Sequence, residues 1–122
     1  MEIRKVKIVK SKKHLKWVAE NYTCLICKMP PQVAHIRSLP DGNIGWGQKN
    51  DAYVIPLCPK HHIEQHNMNE IKFWLKYQIN PIKVAIRLSK LSPCKKINKL
   101  ESEGYFGNTN YFRVVQKNSL QP

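Results

Sequence analysis

Four residues in two pairs carry the first chemical signal. Cys24 and Cys27 form a Cys-x-x-Cys pair, and Cys58 and His61 repeat the same two-residue gap. Such short gaps let both side chains of a pair aim at one ion. Two thiolate or imidazole pairs suit tetrahedral Zn²⁺ in a closed structural site. A redox Cys-x-x-Cys would need a helix opening at the pair within a βαβ unit, but Met29-Pro30-Pro31 follows almost at once. The plainer alternative is a set of unrelated buried thiols. Zinc held by Cys24, Cys27, Cys58 and His61 is the expectation, and Cys94 stands alone as an ordinary thiol.

A second set is made of histidines. His61 and His62 are neighbours and point about 100° apart on a helix, so both do not face one metal. His62 and His66 are four apart and share a face. His35 lies upstream in Val33-Ala34-His35-Ile36-Arg37, and Asn50-Asp51 lies between. The order is a strand-borne His, an Asn or Asp in a loop, and a His on the next helix. Neutral imidazole takes a proton from water near neutral pH, and a divalent ion stabilises developing charge on a leaving oxygen. Phosphodiester hydrolysis needs both.

Charge points to the same class of substrate. Lys plus Arg number 21 against 8 Asp plus Glu, a formal charge of +13. Small-metabolite enzymes seldom carry that excess, whereas a protein gripping a polyanion does. Lys10, Lys12 and Lys13 belong to a basic N-terminal run, and Lys95, Lys96 and Lys99 form a second cluster. Lysine on a phosphate backbone carries no base information, so sequence-specific readout is not implied. Trp46 and Lys49 lie in a Gly-rich loop near the proposed site.

The elements that must position these residues are short. Residues 3–9 alternate imperfectly as a strand. Ser11 resembles the N-cap of a helix to about Glu20, with Leu15, Val18 and Ala19 on one face. Residues 22–58 read as turns and short strands ending in the apolar run Tyr53-Val54-Ile55. A helix begins near Pro59. Asn69-Glu70 opens another, with Ile71, Trp74, Leu75 and Gln78 at helical spacing. Asn80-Pro81 starts a third, which Ser92-Pro93 stops near Leu91. The last residues are expected to be irregular, with a hairpin around Gly107-Asn108. Trp17 and Trp74 are expected in the core.

Together these motifs resemble the HNH nucleases, whose core is a ββα-metal unit, and especially the zinc-stapled phage and prophage group related to the phage recombination-enhancing nuclease. The carrying stretches are Cys24-Leu25-Ile26-Cys27, Ala34-His35-Ile36-Arg37, Gly45 to Asp51, and Ile55 through His66, with Met68 to Trp74 and Ile79-Asn80-Pro81 resembling the helical appendage. Likeness extends from about residue 11 to 91. It implies an α+β fold with the core at about 22–67, a helical appendage at about 69–91, and an unmatched segment 92–122, all one domain.

The resemblance implies a metal-dependent endonuclease that hydrolyses DNA phosphodiester bonds. His35 matches the general base and His62 the catalytic metal ligand. Asp51 stands nearest the middle position, with Asn50 as the alternative, and His66 matches a further metal histidine. Asp51, His62 and His66 would hold Mg²⁺ or Mn²⁺. Arg37, Lys49, Lys10, Lys12 and Lys13 are the candidate nucleic-acid contacts, with RNA remaining open beside DNA. Many relatives place Asp or His just before the base as another ligand, whereas here that residue is Ala34. The alternative is therefore a non-catalytic zinc-dependent nucleic-acid-binding module of the same fold. An adaptor in a phage packaging, replication or recombination complex is a third class. The chain shows no apolar run of membrane-spanning length and no signal-peptide pattern, so a cytoplasmic protein of bacterial or phage origin, its thiols reduced, is expected.

Overall fold

The computed structural model describes residues 8–37 and 49–106. Within them the chain runs α1 (Lys12–Asn21), β1 (Gln32–His35), β2 (Val54–Leu57), α2 (Pro59–Asn67), α3 (Glu70–Lys76), α4 (Pro81–Leu91) and α5 (Lys95–Asn98). This is the α+β architecture the motifs imply.

β1 and β2 pair antiparallel, with Ala34 opposite Ile55 and His35 opposite Val54. The pairing continues one step as Ile36 N–H donates to Tyr53 O at 2.8 Å. Every residue of β2 is buried, because α1 and α2 contact both strands and α4 covers β2. Pro56 is tolerated because a two-stranded sheet leaves it no ladder partner to disappoint on its outer side. Its carbonyl accepts from Leu25 N–H at 3.2 Å, which docks the Cys24–Cys27 turn on the outer edge of β2. The core joins Val54, Ile55 and Leu57 to Val18, Phe73, Trp74, Ile82 and Leu88, all at most 1% exposed.

Local chemistry sets most helix ends. Ser11 Oγ accepts from His14 N–H at 3.1 Å and caps α1. Asn69 and Asn80 cap α3 and α4 in the same way, each at 3.1 Å. Pro81 occupies the first turn of α4, as the Asn80-Pro81 pair predicts.

Three expectations change. Gln78 does not continue the face of α3. It adopts φ 55°, and Gln78 N–H and Ile79 N–H close back on Leu75 O and Trp74 O at 3.1 and 3.0 Å. A left-handed residue with those two bonds ends the helix in a Schellman turn. Leu75, placed with the apolar face from spacing, is 45% exposed. The segment after Pro93 is not wholly irregular, since it holds α5, whose Ile97 is buried. The expected strand falls mostly, and Trp46 and the hairpin around Gly107-Asn108 wholly, outside the described residues. Trp74 is fully buried and Trp17 half-buried. No helix among the described residues is long and apolar enough to cross a membrane.

Candidate nuclease site

The Cys24–Cys27 turn and the first turn of α2 converge. The ligand atoms of Cys24, Cys27, Cys58 and His61 all lie within 4.8 Å of one another. His61 Nδ1 is 3.3 Å from Cys58 Sγ and 3.6 Å from Cys24 Sγ, and Cys27 Sγ is 3.5 Å from Cys58 Sγ. Bond lengths of about 2.3 Å to sulfur and about 2.0 Å to nitrogen give a tetrahedron with edges of about 3.5–3.8 Å. The spacing therefore fits zinc, and it is far too long for a disulfide. The turn is tight: Lys28 N–H donates to Cys24 O at 3.0 Å, and Lys28 takes φ 66°. Burial pushes the Cys24 thiol up, but backbone N–H groups of Cys27, Cys58 and Ile26 outweigh it and bring it down to about 6. These four residues could hold a metal ion, consistent with a structural zinc that ties residues 24–27 to α2.

The second set begins at the end of β1. His35 Nε2 is 2.8 Å from Asp51 Oδ1, with side chains 14% and 7% exposed. A carboxylate only accepts, so the imidazole donates through Nε2 and leaves Nδ1 to take a proton. The other carboxylate oxygen accepts from Ser11 N–H at 2.8 Å, and Asp51 N–H reaches Val9 O at 2.9 Å. Asp51 is thus held from the segment leading into α1. Asn50, the alternative middle residue, does different work. Its Oδ1 accepts from Val9 N–H at 3.3 Å and Ala52 N–H at 3.1 Å, while Nδ2 donates to Tyr105 Oη at 2.8 Å. It staples the loop and does not touch the histidine.

His62 and His66 lie side by side on α2, ring centroids 4.9 Å apart. His62 Nδ1 donates to Gln32 Oε1 at 2.9 Å, which fixes its tautomer and leaves Nε2 bare. A metal-binding histidine is commonly oriented by such a partner. Burial first, then the charges of His66, His35, Arg37 and Lys49, lower His62 from its usual value; burial, Arg37 and Lys49 lower His66. Both shifts favour the neutral imidazole, the form whose lone pair can bind a metal. Ala34 is fully buried opposite Ile55, so position 34 packs the core and offers no ligand.

The lysines predicted as nucleic-acid contacts gather at His35. Lys10, Lys12, Lys13 and Lys49 line a groove of about 760 Å³ with His35 and Asp51 on its wall. Lys96 from α5 lines it too, so one lysine of the second basic cluster joins the first. Among the described residues none of these five lysines is in an ion pair, whereas Arg37, Lys76 and Lys90 are. Arg37 lies apart from the groove wall, with Nε 3.7 Å from Glu70. Sequence reasoning missed Gln32, Gln65 and Glu70 and gave Lys96 no place at the site. Glu70 hid because an acidic residue in a first helical turn already has a local reason to be there.

Comparisons with known proteins identify the family. Residues 1–95 match the family described as "Putative HNHc nuclease", and the chain belongs to that family. Membership supports a nuclease-type function on nucleic acid. A 66-residue stretch is 39% identical to "Uncharacterized protein YdfU" of Escherichia coli (strain K12), covering 48% of this chain and 19% of the relative. The chain thus matches about a fifth of that relative's length. No solved structure matches significantly.

Proposed function

We propose that the protein is a metal-dependent endonuclease that hydrolyses DNA phosphodiester bonds. The observation that carries this reading is a histidine–carboxylate pair on the wall of a groove lined by five lysines. The lysines hold the backbone phosphates, and the groove brings one phosphate to His35. Asp51 keeps the His35 proton on Nε2, so Nδ1 accepts the proton of the attacking water. The imidazolium that forms is stabilised by the same carboxylate, the arrangement a general base requires. Ser11 N–H holds the carboxylate in turn.

His62 and His66 would hold the divalent ion, Mg²⁺ or Mn²⁺, with Gln32 orienting His62. Bound there, the ion supplies positive charge to the leaving oxygen. Asp51 as a further ligand would have to share an oxygen already hydrogen-bonded, so its assigned role is to orient His35. In this reading the protein works in the cytoplasm, belongs to the phage and prophage group related to the phage recombination-enhancing nuclease, and acts beside a phage recombination or replication protein.

The second reading, a binding module without turnover, is favoured by one observation: the ligand position before the base is a buried alanine. A supercoiled-plasmid nicking assay separates the two. Nicks that appear with Mg²⁺ or Mn²⁺ and vanish with chelator support the enzyme. DNA binding without nicking in any divalent ion supports the module.

A further inference from the structure

One buried polar network touches the site but has no part in the chemistry above. Glu70 is 5% exposed on the first turn of α3. Its Oε2 accepts from Arg37 N–H at 3.0 Å, Gln65 Nε2 at 3.0 Å and Trp74 Nε1 at 3.1 Å, and its Oε1 from Arg37 N–H at 3.2 Å. Every partner is a donor, so the position demands an acceptor-only side chain. Gln65, fully buried on α2, donates a second bond from Nε2 to the backbone carbonyl of His35 at 3.0 Å.

The orientation of Gln65 is forced. Turning the amide over would set Oε1 against the His35 carbonyl and the Glu70 carboxylate, acceptor against acceptor. As it stands, Oε1 is buried with no partner among the described residues. A buried unpaired acceptor is destabilising. The chain sustains that cost at a residue whose two bonds both lead to the strand end bearing His35. The two anchors bracket Ile36: the His35 carbonyl is held by Gln65, and Arg37 N–H by Glu70.

We infer that Gln65 and Glu70 are positioning residues that fix the backbone on either side of Ile36 and so aim the His35 ring at Asp51 and the groove. Neither touches substrate. The inference rests on His35 being the base, and its test separates the two. Gln65→Met keeps the length of the side chain and removes both donated bonds. Trp74→Phe, the control, removes one Glu70 donor and leaves the His35 carbonyl bonded.

Two measurements are made on zinc-loaded protein. Nitrogen–proton spectra of the His35 ring, without DNA, should show a slowly exchanging Nε2 proton in wild type and in Trp74→Phe, and its loss or a tautomer mixture in Gln65→Met. Single-turnover nicking should fall about tenfold or more in Gln65→Met, while the half-saturating DNA concentration and zinc content change less than about twofold, the pattern of a lost alignment rather than lost binding. If Gln65→Met changes ring signal and rate no more than Trp74→Phe does, the inference is overturned. If Gln65→Met does not fold, Glu70→Gln, which sets amide hydrogens against donors, carries the same criteria. Failure of both to fold overturns it, because the pair would then hold the fold rather than aim the base. If wild type does not nick, the nuclease reading fails, and the ring signal still decides the positioning.

Discussion

His14 shows how a single buried group ties pH to stability. It is fully buried on α1, with Nδ1 2.8 Å from Ser92 Oγ and Nε2 without a partner among the described residues. Burial lowers its pKa from 6.5 to about 4, against the upward pull of Asp51. The folded value lies below the unfolded one, so the unfolded chain binds the proton more readily between these limits. The stabilisation is present above about pH 6.5 and is lost as pH falls toward 4, amounting to about 2 kcal/mol between pH 7 and 5. Denaturant unfolding should show this loss in wild type and a shallower one in His14→Gln. Comparing the two cancels acid release of a metal held at Cys24, Cys27, Cys58 and His61, which both would share, and parallel curves would contradict the assignment. Residues such as His14 were not legible in advance, because a histidine on an amphipathic helix reads equally as surface or core.

At the scale of elements, the caps and the metal pairs were legible and the cross-chain contacts were not. Ser11, Asn69 and Asn80 bond within three residues of themselves, so sequence alone defines their work. The Cys-x-x-Cys and Cys-x-x-His gaps likewise encode their own geometry. Asn50 and Asp51 could not be told apart, because which side chain meets His35 depends on how the loop is pinned to Val9 and Ser11. Glu70 and Gln65 act through Arg37 and His35, some thirty residues upstream. The end of α3 was missed because Gln78 takes a left-handed conformation that glycine or asparagine usually signals. The zinc pairs carry a prediction of their own. Elemental analysis should find about one zinc per chain, and Cys24→Ser should lose it together with several kcal/mol of stability. A Cys24→Ser protein that melts with wild type would show that no metal joins the turn to α2.

For the molecule as a whole, positive charge is organised rather than merely abundant. Lys10, Lys12 and Lys13 come from the start of the chain and Lys96 from α5, yet they share the groove that reaches His35 and Asp51. Neither run alone showed this, since sequence separates what the packing of α1 and the C-terminal segment brings together. DNA affinity should fall steeply with salt. Replacing Lys10, Lys12 and Lys13 by Gln should reduce the slope by about three, and Lys96→Gln by about one, each lysine standing for about one released counterion. Unchanged slopes would move the footprint to another face.

The central claim is that His35 removes the proton from the attacking water at the end of that groove. It is tested most directly by measuring nicking and DNA binding side by side for wild type and His35→Ala, with Mg²⁺ or Mn²⁺. His35→Ala spares the four candidate zinc ligands and all five groove lysines. Nicking should therefore fall by roughly two to four orders of magnitude, while zinc content and DNA affinity stay within about twofold of wild type. Nicking by His35→Ala at the wild-type rate would contradict the claim.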